Sequence, residues 1–302
     1  MSAAIGTLGR YGIGASSPVD TCQDIMSEDL VLNQESINGN GVRGTRSHTV
    51  ERVRAGLQRI GGPVRMQPSA ADYHALLPWA LGANAATISG TNKRYDLAET
   101  LPSRYVTIDR HAKVFTYATV GVQTFTLRAG QGQMAEVELG LLASTETVAN
   151  AGTFPAIYPD VTTNAFVLSD LVLTVGGTTV TPQSFELTVN NDLDPDRFFN
   201  SNTLTALVSR DREVMFKTRL PYGDATALYN TGAGTGVAVA ATFTQGSWVM
   251  TISMQKVVFP PRSPAVAGRE EVMLDLEGRA YRHGTATDST KAELIFTLDT
   301  GV

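Results

Sequence analysis

The sequence has a single cysteine, Cys22, in 302 residues, so no disulfide can form within the chain and nothing points to an oxidising compartment. Stability has to come from packing or from neighbouring subunits. Histidine is scarce too: His48, His74, His111 and His283 stand singly, with no HExxH pair and no spacing suited to a metal. No apolar run approaches the ~20 residues that span a bilayer. The opening MSAAIGTLGRYG lacks the basic-then-apolar order of a secretory signal, so the expectation is assembly in the cytoplasm with no membrane partner. Positive charge is also short, with 24 Lys and Arg against 29 Asp and Glu, a formal charge of -5. A protein that grips nucleic acid needs a basic stripe to neutralise phosphates, so that class is disfavoured.

What is present is β pattern. With 42% hydrophobic and 18% charged residues the chain is a folded protein, long enough for one large β domain or two ordinary ones. Runs rich in Val, Thr and aromatic residues, parted by glycine, recur throughout: RSHTVERVRAG (46–56), KVFTYATVG (113–121), QTFTLRAG (123–130), AEVELGLLAS (135–144), SFELTVNN (184–191), LTALVSRDREVMFKTRL (204–220), SWVMTISMQKVVF (247–259) and AELIFTLD (292–299). Within them Trp248, Met250, Ile252 and Met254 share one face, as do Val272, Leu274 and Leu276. Gly176-Gly177 between LVLTV and TTVTP marks a tight hairpin. Two segments read as helices. SAADYHALLPWALGA (69–83) has Ser69 as a cap, Gly82 as a stop, and Tyr73, Leu76, Leu77, Ala80 and Leu81 on one face, with Pro78 expected to kink it; YGDATALYN (222–230) is the shorter.

Catalytic patterns are missing from these elements. Cys22 has no identifiable base, TGAGTG within YNTGAGTGVAVA (229–240) departs from the phosphate loop, and Asp192, Asp194 and Asp196 alternate like calcium ligands but with Pro195 among them and no terminal Glu. The reading is of a non-enzyme without cofactor or metal.

The two halves share a plan. The first runs hairpin, helix, strand, a Gly-rich gap (RAGQGQ) and a final strand AEVELGLLA; the second runs hairpin, short helix, strand, a gap (PPRSPAVAG) and EEVMLDLEG. Both final strands alternate apolar residues with carboxylates, Glu136 and Glu138 in one and Asp275 and Glu277 in the other. This reads as a degenerate duplication: an N-terminal arm (1–20), one β unit at 21–150 and a second at 165–302. A duplicated β unit suits a closed ring, because three chains then give six approximate positions joined head to tail, and exposed sheet edges continue from subunit to subunit.

The combination SFELTVNN, LVSRDREVMFKTRLPYGDATALYN and VVFPPRSPAVAGREEVMLDLEGRA resembles the major tail tube proteins of long-tailed, siphovirus-type bacteriophages, and GVRGTRSHTVERVRAG…PVRMQPSAADYHALLPWALGA resembles their first half. The resemblance implies a mainly β fold, a β-sandwich or split barrel with one or two short helices in two tandem pseudo-repeats. It further implies stacking of trimeric pseudo-hexameric or hexameric rings into a hollow virion tube. The implied partners are further copies of the chain, a tape-measure protein, tail terminator and baseplate or tip proteins, and double-stranded DNA passing without specific binding.

Three sets of residues become candidates in that light. Glu136, Glu138, Asp275 and Glu277 either repel phosphates from the lumen wall or lie on ordinary solvated outer faces. In NDLDPDRFFNSNT (191–203), Asp192, Asp194, Asp196, Arg197, Phe198 and Phe199 form a polar loop whose adjacent aromatics either dock on a neighbouring subunit or ring, or fold back on their own sandwich. NQESINGNGVRGTRSH (33–48), with Asn38, Asn40, Arg43 and the Thr45-Arg46 pair, is the matching first-half arm. The N-terminal 20 residues and the C-terminal tail lack periodicity and are expected to order only on assembly. The competing function is a β-rich receptor-binding or decoration protein on the virion surface; a lysis or cell-wall enzyme ranks third, for want of paired carboxylates.

Overall fold

The computed structural model describes residues 6–41, 44–82, 86–159, 162–225, 235–266, 268–284 and 292–300. In chain order its first-half strands are β1 (Arg10–Gly14), β2 (Thr21–Gln23), β3 (Ser27–Glu28), β4 (Val31–Asn38), β5 (Val53–Met66), β6 (Ala86–Ser89), β7 (Asn92–Asp96), β8 (Arg104–Asp109), β9 (Lys113–Gly130), β10 (Glu136–Ala143) and β11 (Thr145–Asn150). The second half adds β12 (Leu171–Val175), β13 (Thr178–Val180), β14 (Ser184–Asn190), β15 (Glu213–Pro221), β16 (Val237–Gln245), β17 (Trp248–Val258), β18 (Met273–Ala280) and β19 (Ile295–Asp299). The α-helices are α1 (Tyr73–Leu81) and the four-residue α2 (Tyr222–Ala225).

Alternation decides the layers. In β10 Val137, Leu139 and Leu141 face inward, and so do Phe125, Leu127 and Ala129 of β9, Phe185, Leu187 and Val189 of β14, and Val214, Phe216 and Leu220 of β15. Antiparallel pairing places these strands side by side in the order β5–β10–β9–β14–β15–β18. Facing them is a second layer, β7–β19–β17–β16–β12–β13. Aromatic rings lock the layers together: Phe125 meets Phe296 edge-on at 6.3 Å, Phe185 meets Phe243 at 5.6 Å, and Phe216 meets Phe259 at 6.1 Å. The layers join where Val257 and Val258 of β17 pair Ala280 and Arg279 of β18.

The sandwich is antiparallel, mainly β and built on one core that runs from Tyr11 to Leu298. The halves meet in register, with Leu127 opposite Leu187 across β9 and β14. Within each half the same connectivity recurs. A hairpin (β4–β5 or β14–β15) leads into a helix, and the final strand, β10 or β18, returns to pair the strand before that helix. The halves differ in that β9 pairs β10 along its length while β17 touches β18 at two positions.

Several elements depart from the sequence reading. KVFTYATVG and QTFTLRAG form one strand, because Thr119 at φ 53 bends β9 and lets it continue from the β8 and β11 pairings into the main sheet. Residues 204–212 are not strand; the apolar Leu204 is instead buried under the loop. Residues 46–49 are irregular, and Val50–Arg52 is a single 3-10 turn leading into β5. The N-terminal segment contains a strand, with Tyr11 and Ile13 of β1 buried between β2 and β8, whereas β19, clamped between β17 and β7, falls within the AELIFTLD run as expected.

The helix α1 starts three residues later than its capping signal suggests. Asp72 folds back to accept the Ser69 N–H and hydroxyl at 2.8 Å each, which makes 69–72 a turn. Gly82 ends the helix at φ 90, as its position predicts. Pro78 is accommodated because seven of nine residues are buried, Trp79 among them, with its Nε1 donating to Val120 O at 3.0 Å. Gly176 and Gly177, both at positive φ, make the two-residue β12–β13 turn. Residues 226–230 of the second predicted helix, the stretch 226–234 and Arg43 lie outside the described residues.

Candidate assembly surfaces

The outward side chains of the main sheet form three charged or polar rows across its strands. Register places Glu138, Thr126, Thr188, Met215 and Arg279 in one row, Glu136, Arg128, Glu186, Lys217 and Glu277 in the next, and Gly130, Ser184, Arg219 and Asp275 in the third. All four carboxylates singled out in the sequence therefore share one outer face of one sheet, although they come from opposite halves.

On that face the charges alternate in sign, and most of them pair. Glu138 accepts from Arg65 at 3.2 Å and Arg128 at 2.8 Å; Arg128 also reaches Glu186 at 2.9 Å; Lys217 meets Glu277 at 2.9 Å and Arg219 meets Asp275 at 3.9 Å. The hydrogen bond to Glu186 is the main cause that raises the Arg128 pKa, and the bond to Glu277 does the same for Lys217. At these exposures each pair is worth at most about 1 kcal/mol, so the arrangement matters for the field at the surface rather than for folding. A set of bare carboxylates is thus replaced by a nearly balanced ladder. Period-two alternation makes the shared face legible within each half, but partners from other strands cannot be read from sequence.

The loop after β14 splits its two phenylalanines. Phe198 is 8% exposed beneath the Arg59 guanidinium, 5.3 Å from its ring, while Phe199 is 69% exposed with Arg197 stacked at 4.8 Å. Folding back therefore holds for Phe198 and not for Phe199. The aspartates bind arginines: Asp192 and Asp194 face Arg210 at 3.9 and 3.5 Å, and Asp196 pairs with Arg59. Gln58 N–H of β5 donates to Asn202 O at 2.7 Å, and Ser144 Oγ, between β10 and β11, donates to Leu204 O, fixing the loop to two places in the sheet.

The sequence reading missed Asn191. It is 1% exposed; its Nδ2 donates to Ala80 O at 2.9 Å and Val122 O at 3.0 Å, and its backbone carbonyl accepts from Ser209 Oγ at 2.8 Å. This one residue joins the end of α1, β9 and the loop. The only sequence signal was an Asn where the strand pattern expects an apolar residue.

The first-half arm is the β4–β5 hairpin. Nearly all of β4 is solvent-exposed, Asn38 included, as are Asn40, Thr45 and Arg46; Gly39 N–H bonds Arg52 O at 3.1 Å to close the described base. Ile37, Val50 and Val53 are exposed apolar residues along it. The arm exposed on both faces, the loop with its exposed Phe199 and the outward charge ladder are the candidate surfaces; among the described residues no three His, Cys, Asp or Glu converge as a metal site would require.

These features define a structural β-sandwich subunit. A family model described as phage tail tube protein matches residues 4–280, and the chain belongs to that family. It is a family of structural virion components rather than enzymes. The comparison with curated proteins finds no match.

Proposed function

We propose that the chain forms siphovirus-type tail tubes in which three subunits make a ring with six similar lobes, and that the outer face of the β5–β10–β9–β14–β15–β18 sheet lines the lumen. The observation that carries this reading is the charge ladder: a sheet face, presented by both halves, whose arginines and lysine are held by carboxylates. DNA phosphates moving along such a wall meet cations already paired with carboxylates and little net charge of either sign. The recurrent hairpin–helix–returning-strand connectivity supports two tandem units, and therefore six quasi-equivalent positions from three chains. The exposed β4–β5 arm, with Asn38, Asn40 and Arg46, reaches a neighbouring subunit. Rings assemble in the host cytoplasm around a tape-measure protein and end on terminator and tip proteins.

Two experiments test this. End-on electron micrographs of the concentrated protein are expected to show hollow stacked rings with three-fold symmetry and six lobes; six complete chains per ring would refute the trimer. In phage carrying Glu138→Gln and Glu186→Gln, Arg65 and Arg128 lose their partners, so tubes form normally and DNA ejection slows, most at low salt. Ejection that is unchanged at every ionic strength places this face away from the DNA path.

A further inference from the structure

Asn-Gly occurs at two places in the sequence, Asn38-Gly39 and Asn40-Gly41, and both lie on the β4–β5 arm. In this dipeptide the glycine nitrogen can reach the asparagine side-chain carbonyl, since no Cβ on the glycine stands in the way. The structure holds the two pairs differently. Asn38 is the last residue of β4 and pairs Val53 in register, and the Gly39 N–H donates to Arg52 O at 3.1 Å. Asn40 lies past the strand and is exposed, as is Gly41; among the described residues nothing bonds the Gly41 N–H or the Asn40 carboxamide. A Cβ built on Gly41 would meet the Arg52 Nη1 at 3.7 Å, an ordinary van der Waals contact.

We propose that Asn40 is a site of spontaneous modification, converting through a succinimide to aspartate and isoaspartate, and that Asn38, two residues away, is protected by the arm's own hydrogen bond. The Gly41 nitrogen gives its proton to water or hydroxide and attacks Asn40 Cγ. An N–Cγ bond forms, the Cγ–Nδ2 bond breaks, and the side-chain nitrogen takes a proton from solvent and leaves as ammonia. Water then opens the ring. Cleavage of the new N–Cγ bond gives aspartate, whereas cleavage of the original bond between the Asn40 carbonyl and the Gly41 nitrogen gives isoaspartate, whose main chain runs through Cγ. Either way one water is consumed, one ammonia leaves and a carboxylate replaces an amide, with no oxidant or reductant. At Gly39 the same nitrogen has to break its bond to Arg52 O and leave the strand ladder first, so reaction there runs only through local opening. The Arg52 cation next to Gly41 favours both the loss of the amide proton and the charge of the product. The altered residue lies on the arm assigned above to a neighbouring subunit, so fresh and aged chains differ in charge at that surface. The reaction itself is a property of the free chain and does not rest on the tube reading.

The test is peptide mapping by mass spectrometry of the full-length chain aged in mildly alkaline buffer. In the folded chain amide-to-acid conversion is expected to run about tenfold or more faster at Asn40 than at Asn38, with the two rates converging in urea, where the Gly39 bond is gone. Labelling with an isoaspartyl methyltransferase is expected to mark the same position, and the rate is expected to rise with pH, because the attacking nitrogen must lose its proton. Gly41→Ala, an exposed substitution with room for the methyl group, is expected to slow conversion at Asn40 about tenfold and to leave Asn38 as it was. Equal rates at the two asparagines in the folded chain, no conversion at Asn40 under conditions where the urea-unfolded chain converts, or an unchanged Asn40 rate in Gly41→Ala overturns the proposal. All of these are read on the subunit whether or not it forms tubes, so failure of the tube reading shows separately in the micrographs.

Discussion

At the scale of single residues, the largest effects are expected where one side chain serves several elements. Asn191→Ala removes the buried donor that Ala80 O and Val122 O share. Urea denaturation is expected to show a loss of about 2–3 kcal/mol, with Asn191→Asp no better, because a carboxylate cannot donate to either carbonyl. Gly62 is held by space alone: a Cβ there would sit 1.8 Å from the Asp29 carbonyl oxygen, a backbone atom that cannot swing away. Gly62→Ala is expected to displace the β3–β4 connection and reduce the soluble yield severely, whereas Gly132→Ala, in the open turn after β9, costs only about 1 kcal/mol for its positive φ. Neither role was visible in the sequence, since an Asn at a strand end and a Gly pair in a strand pattern look like ordinary punctuation.

At the scale of elements, α1 gives a pH signature. His74 has its pKa lowered, first by burial and then by Lys93, and its Nδ1 bonds the Tyr95 hydroxyl, whose own pKa burial raises to about 12. A histidine held below its ordinary value is neutral in the fold while the unfolded chain takes up the proton. Its contribution is complete above the ordinary value of 6.5 and is lost as pH falls below it. Calorimetry is expected to show a melting temperature that declines below about pH 6.5, with a smaller decline in His74→Asn; identical pH profiles for the two proteins would refute the assignment. Element faces were largely legible: the inward residues of β10, β14, β17 and β18 and the buried face of α1 follow from period two and period 3.6. The bend at Thr119 was not, because a non-glycine at positive φ carries no sequence mark, and 204–212 read as strand because its apolar residues are spaced like one.

At the scale of the whole molecule, both halves contribute to a single core, and β9 and β14 share backbone bonds across the seam. The chain is therefore expected to melt in one calorimetric transition. A fragment ending near residue 165 is expected to be insoluble, since it exposes the β9 edge along 124–130 together with Phe125 and Leu127. Two resolved transitions, or a soluble first half with native-like circular dichroism, would show the units to be independent. The tail tube family membership fits this economy: residues 4–280, nearly the whole sandwich, are what the family shares.

The amino-acid sequence alone determined that the protein is β-rich, lacks disulfide support, carries alternating carboxylates on its two final strands and follows a tail tube pattern. Those properties are local or compositional, set by residue type and spacing along one strand. Only the tertiary structure decided that Glu138 and Glu277 share one ladder, that Phe198 is covered while Phe199 is bare, and that Asn191 is a hub. Each of these depends on which distant strand lies alongside, and period-two patterns specify a strand's faces without specifying its neighbours.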